Sequence, residues 1–153
     1  MAIRAGAVVE GPLDQIDTVK RFALGTYVFT GDKAYVYVQG VTSGAAGKHV
    51  TFTSAGVTTL TVANANGPVG ILMSTLDATT EYGFAQVFGI NAIADCTALT
   101  AGEAAYLTAT GGRLDVTDVA GDMVLNYTVI VTGASNVATV FLNYPQVIDA
   151  AVD

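Results

Sequence analysis

Charge is what this chain lacks most. Of its 153 residues only 12% are Asp, Glu, Lys or Arg, about half the ~25% of an average soluble domain. It has no tryptophan, one cysteine (Cys96) and one histidine (His49). Each shortage excludes something. One cysteine cannot close an intrachain bridge, so a disulfide-stapled secreted scaffold is out and synthesis in a reducing compartment is expected. One histidine leaves a single base for nucleophilic catalysis. Basic residues are few and scattered: Arg4, Lys20, Arg21, Lys33, Lys48 and Arg113, against 13 acidic ones, for a net charge of −7. Binding a phosphate backbone takes clustered Lys and Arg, so no nucleic-acid partner is expected. The N-terminus shows no basic stretch followed by an apolar one, so no signal peptide is expected.

Residues 51–76 and 123–148 contain no charged residue at all. Both are long enough to cross a bilayer, but a spanning helix needs about 20 consecutive, predominantly apolar residues. Asn64, Asn66, Gly67 and Pro68 interrupt the first; Asn126, Gly133, Ser135, Asn136, Asn143 and Pro145 interrupt the second. No membrane partner is expected. These segments read instead as strands that lose much of their surface to neighbours, including neighbours from other chains. A weakly charged surface favours association, and a subunit interface would use that tendency.

What the chain does have is short β runs and glycine turns. Residues 26–29 and 34–38 flank TGDK, a hairpin signal. Residues 49–53 and 57–62 flank SAG; 104–109 and 113–116 flank TGG; 125–132 and 136–144 flank GAS, with Pro145 expected to end that ladder. Residues 69–73 and 82–91 add two more strands, the second with Gly83 and Gly89 as bulge or bend points. About ten short antiparallel strands with turns every 8–12 residues predict an all-β fold, a β-sandwich or barrel. Helix is confined to two weak signals, 14–21 and 92–98. The chain divides into an extended N-terminal arm (1–21), a β domain (22–145) and a C-terminal tail (146–153). One domain of this size buries roughly 68–70% of its unfolded surface, enough for a core without disulfides.

Residues 47–54 (GKHVTFTS, then Gly56) and 102–109 (GEAAYLTA, then Gly111) share a pattern at a constant offset, 102 − 47 = 55. A duplication accounts for it, and so does chance similarity between two segments rich in Gly, Ala and Thr.

Chemistry is sparse. His49 lies in a strand whose alternation predicts half exposure, which suits a structural surface histidine better than a catalytic one. Asp95 beside Cys96 raises a thiol pKa by like-charge repulsion, the wrong direction for a reactive thiolate. Asp115, Asp118 and Asp122 cluster in DVTDVAGD, but without the ligand alternation and closing Glu of an EF-hand; a solvated acidic turn is the simpler reading, and no metal is expected. No phosphate-cradling GxxxxGK[ST] loop is present. No catalytic residue and no cofactor is expected.

Several stretches carry a family likeness: FALGT at 22–26, AYVYVQ at 34–39, AAG at 45–47, YGFAQVFG at 82–89, ALTAG at 98–102 and YLTATGGRLD at 106–115. Together they resemble the small capsid cement (decoration) proteins of tailed phages, whose central strand takes the form Y-G-[WF]-x-Q-V-x-G. The likeness spans roughly residues 22–145. It implies a non-enzymatic virion protein on the outer surface of an icosahedral head, commonly a homotrimer, that bridges neighbouring major capsid subunits and stabilises the shell. The partners implied are the major capsid protein and other copies of the chain. Capsid contact is expected from the arm (Ile3, Ala5, Val8, Val9, Leu13) and from a loop tip (Asn64, Asn66, Pro68). The oligomer interface is expected at Tyr35, Tyr37, Phe84 and Phe88, because tyrosines bury their rings while keeping hydroxyls wet. The alternative reading is a head-fibre or adhesin-type module binding host surface glycans, a role that tyrosine-bearing β-sandwiches serve well.

Overall fold

A computed structural model describes residues 12–148. It is all-β. Among the described residues there is no helix, and ten strands follow in order: β1 (Tyr27–Thr30), β2 (Lys33–Gln39), β3 (His49–Phe52), β4 (Thr58–Leu60), β5 (Gly67–Leu72), β6 (Tyr82–Asp95), β7 (Tyr106–Leu107), β8 (Leu114–Asp115), β9 (Val124–Ala134) and β10 (Val137–Val147). Every strand pair is antiparallel. Eight strands form one sheet in the order β1-β2-β6-β10-β5-β3-β4, with β9 on β10; β7 and β8 form a small second sheet.

The large sheet curls into a barrel-like body. Gln39 at the end of β2 donates its N–H to Gly56 in the β3–β4 turn, and its carbonyl accepts the Thr58 hydroxyl at 2.6 Å. Inside the curl lie Val36, Val38, Val50, Phe52, Leu72, Leu76, Ala85 and Val87. The opposite side of the sheet carries a second core, where Ile71, Ala94, Cys96, Val140 and Leu142 meet Leu107 and Leu114 of the small sheet and Tyr127 and Val129 of β9. Strands β3 and β5 are therefore covered on both faces. In β3 all four residues are buried, so in-out alternation fails there.

Three strands are long rather than short: β6 has 14 residues, β9 and β10 have 11 each. The 92–98 segment extends β6 as far as Asp95 and forms no helix. Two turns differ from expectation. The β9–β10 hairpin closes at Ser135 and Asn136, not at Gly133. Both turn residues have positive φ, 53° and 65°, the conformation a two-residue hairpin loop needs to match strand twist. Pro145 does not end its ladder: β10 runs on to Val147. A register shift between Leu142 and Gln146 forms a bulge, one of the few places where a sheet tolerates a residue without an N–H.

The arm boundary at residue 21 is also corrected. Asp17 and Tyr82 exchange both backbone hydrogen bonds at 2.8 Å, and no helix forms over 14–21. Asp17 Oδ2 accepts from Arg21 Nε and from the Tyr37 hydroxyl, each at 2.7 Å. Residues 12–21 thus belong to the β domain. At the other end Gln146 and Val147 belong to β10.

The 55-residue offset holds in the backbone. Gly47 and Gly102 both adopt left-handed φ, 88° and 82°. Lys48 N–H bonds Ala45 O, and Glu103 N–H bonds Thr100 O; Gly47 N–H bonds Leu72 O, and Gly102 N–H bonds Val129 O, where the offset of the acceptors widens to 129 − 72 = 57. Leu72 then pairs with Ala85 and Val129 with Val140. Strands β6 and β10 begin at 82 and 137, again 137 − 82 = 55 apart, and they pair with each other at the centre of the sheet. The two halves share backbone detail that side-chain composition does not require, which favours duplication over chance.

Candidate functional site

His49 is fully buried, not half exposed. Its Nδ1 lies 3.0 Å from the carbonyl of Gly112 and its Nε2 lies 2.9 Å from the Tyr127 hydroxyl. A carbonyl only accepts, so Nδ1 carries the proton and Nε2 accepts from Tyr127. Both nitrogens of a neutral ring are then satisfied. Burial lowers the His49 pKa to about 4, against the opposing pull of the Gly112 carbonyl and the Asp95 carboxylate. The ring pins β3 to the β7–β8 hairpin and to β9. Buried and saturated, it has no opening toward a substrate. Cys96 is equally enclosed, and burial first and Asp95 second push its thiol pKa up.

The acidic stretch has local uses. Asp115 Oδ1 accepts the Thr117 N–H at 2.9 Å, and the buried Asp122 accepts the Asn64 N–H at 2.6 Å. Among the described residues no group of three or more His, Cys, Asp or Glu could hold a metal ion, and no helix is long and apolar enough to cross a membrane.

The interface expected at Tyr35, Tyr37 and Phe84 is corrected by burial within the chain. Tyr35 is 4% exposed, Tyr37 and Phe84 are 0%. Leu13, Phe22 and Leu24 pack over them, with Phe22 edge-on to Tyr37 at 5.3 Å. Burial first pushes the Tyr37 hydroxyl up to about 12, and the Asp17 carboxylate adds to it against the Arg21 N–H. Alternation along β2 could not reveal this cover, because the cover comes from the segment before β1. Of the four expected residues only Phe88 reaches the surface, half-buried and packed on Phe141 and Tyr144. Ile3, Ala5, Val8 and Val9 lie outside the described residues. Leu13 is half-buried on the domain.

Two surface features are open. The first is the outer face of β6, β9 and β10. Ile90 stands opposite Phe141, and Phe141 opposite Thr128; Thr139 stands opposite Val131. Residues opposed across an antiparallel pair share a face. Ile90, Ile130 and Val131 are exposed at 47%, 43% and 54%. No charged residue occurs in 82–94 or 123–148. Thr128 and Thr139 lie among them on the same face, and exposed apolar side chains rimmed by polar ones mark contact sites.

The second is a groove at the far end of β10. A cavity of about 200 Å³ opens between Tyr27, Phe52, Val87 and Tyr144. On the other side of Phe52 lies a smaller one of about 160 Å³, lined by threonines and Asn66. From the loop tip at 64–68, Pro68 lines the first cavity and Asn66 the second, while Asn64 lines neither; all three are exposed. Tyr144 holds a left-handed φ of +52°. The only sequence signal for this arrangement is Pro145, which biases Tyr144 away from the helical region and interrupts what reads as a strand.

Comparison with protein-family models, with curated proteins and with solved structures finds no match.

Proposed function

We propose that the chain is a non-enzymatic cement protein of a phage head, acting as a homo-oligomer, a trimer, on the outer surface of the virion. It would bridge major capsid subunits and reinforce the shell. Two things support this reading. One is the resemblance of residues 22–145 to that family. The other, which carries the reading, is the face of β6, β9 and β10 that exposes Ile90, Ile130 and Val131 and whose one acidic residue, Asp95, is paired with Lys48 and Arg113. A chain of net charge −7 is repelled by its own copies wherever acidic residues meet. A contact face free of unpaired ones removes that repulsion and gains from apolar burial at about 25 cal/mol per Å².

The physical logic of a clamp agrees with the architecture. The His49 and Asp17 junctions tie separate segments to one rigid body, and a rigid body can carry load across a seam between subunits. The test is co-sedimentation with undecorated heads. The wild-type chain should bind and raise their resistance to heat. Ile130→Asp combined with Val131→Asp should bind at least tenfold more weakly while keeping wild-type circular dichroism. Unchanged binding by the folded double variant would remove the face from the reading. A separate deletion of residues 1–11 tests the arm; it must stop there, because Leu13 is part of the packed domain.

A further inference from the structure

We propose that the groove between Tyr27 and Tyr144 binds a neutral pyranose ring of a glycan. This goes beyond the cement reading and stands without it. Tyr27 and Tyr144 are each close to half exposed, at 45% and 46%, and they flank the larger cavity. An apolar tyrosine face with a polar tip suits a sugar, which offers a C–H face and a rim of hydroxyls.

The adjoining cavity supplies the rest. Beyond the shared Phe52 it is lined by Val57 and by Thr51, Thr53, Thr59 and Asn66, the last four being side chains that both donate and accept. Sugar hydroxyls also do both. A protein knob inserted here would strip water from these groups and leave them unpaired, which is costly. Neither cavity is lined by a charged residue, and the chain is net negative. Neutral sugars are therefore favoured over acidic or phosphorylated ones. Each cavity is smaller than the ~300–1,000 Å³ of drug-sized sites, so each takes about one ring.

Tyr144 adds an independent sign. A non-glycine residue with positive φ persists only where its surroundings over-determine it, and such residues cluster at ligand clamps. Here the bulge before Pro145 sets the backbone, and the Tyr144 ring packs on Phe88 with centroids 5.5 Å apart. Tyr27 lies close enough to feel it: after burial, the Tyr144 hydroxyl is what raises the Tyr27 pKa. The groove adjoins the proposed contact face through Phe88, which packs on both Tyr144 and Phe141, but it lies apart from the residues that test that face. Val131 stands opposite Thr139, five residues and about 16 Å along β10 from Tyr144.

The test is saturation-transfer NMR and titration of the full chain with methyl β-galactopyranoside, methyl β-glucopyranoside and methyl α-mannopyranoside. At least one should bind saturably with a millimolar Kd. Tyr27→Ala and Asn66→Ala should each weaken it severalfold or more, while Phe29→Ala, on the same edge strand as Tyr27 but outside the groove, should not. Tyr144→Phe keeps the ring and the fold, and should retain stacking with a weakened Kd. Three results would overturn the proposal. One is no saturable binding of any of the three sugars. Another is binding unchanged in both Tyr27→Ala and Asn66→Ala. The last is a drop in oligomeric mass on Tyr27→Ala, which would make the groove a seat for protein. Head binding is a separate readout, so failure of the cement reading would leave these results unaffected.

Discussion

Acid should loosen this protein through one imidazole. His49 is neutral and saturated in the fold, with a pKa of about 4; in the unfolded chain it returns to about 6.5. As pH falls below 6.5 the unfolded state takes up a proton that the folded state refuses. Stability therefore decreases from about pH 6.5 down to about pH 4, and below that both states are protonated and this group adds no further loss. The gap of about 2.5 units, at 1.36 kcal/mol per unit, comes to about 3 kcal/mol, of which about 2 kcal/mol is lost by pH 5. That is a large share of the ~5–15 kcal/mol of a typical domain. Urea unfolding followed by circular dichroism at pH 7.5, 6.5, 5.5 and 5 gives the slope. His49→Gln keeps a donor and an acceptor but cannot titrate in this window. It should be less stable at pH 7.5 and should lose much less than the wild type on going to pH 5. Equal slopes for the two proteins, or an NMR titration placing the His49 pKa near 6.5, would refute the reasoning.

Three further outcomes follow from packing. Tyr127→Phe removes the donor to His49 Nε2 and leaves a buried acceptor unpaired, so urea unfolding at pH 7.5 should show a loss of about 1–3 kcal/mol. Gly47→Ala and Gly102→Ala test the two repeats against each other. Both residues have left-handed φ, but a Cβ at 47 would lie 2.1 Å from the Ile93 carbonyl oxygen while one at 102 meets nothing within 4 Å. Gly102→Ala should cost about 1–2 kcal/mol from conformation alone, and Gly47→Ala clearly more; equal losses by calorimetry would contradict the packing. Asp17→Ala removes the acceptor shared by Arg21 and Tyr37. Losing this acceptor leaves the buried Tyr37 hydroxyl unpaired and should cost about 1–3 kcal/mol, and limited trypsin digestion should then cut after Lys20 or Arg21 well before the rest of the chain.

The strand inventory was legible because its signals are local. Val36 and Val38 alternating with Tyr35 and Tyr37, Thr58–Leu60 after a glycine turn, and the TGG turn before Leu114 each announce a strand from neighbouring letters alone. What stayed hidden depends on partners distant in sequence. His49 reads as half exposed because alternation assumes one wet face, yet Tyr127, 78 residues on, covers it. Tyr37 and Phe84 read as surface aromatics because nothing in β2 or β6 announces that Phe22 and Leu24 fold back over them. Tyr144 was missed as a groove residue because a proline in the next position looks like the end of a strand. Here β10 absorbs Pro145 in a bulge and continues. The likeness of the two halves was visible as letters, but only the similar hydrogen bonds at Gly47 and Gly102 favour duplication over compositional likeness.

Electron cryomicroscopy of heads saturated with the purified chain tests the clamp most directly. The reading predicts ordered density on the outer shell at the seams between subunits, with Ile130 and Val131 turned toward a neighbouring chain. Bare shells at saturating concentration, or bound copies whose β6–β9–β10 face points into solvent, would contradict it.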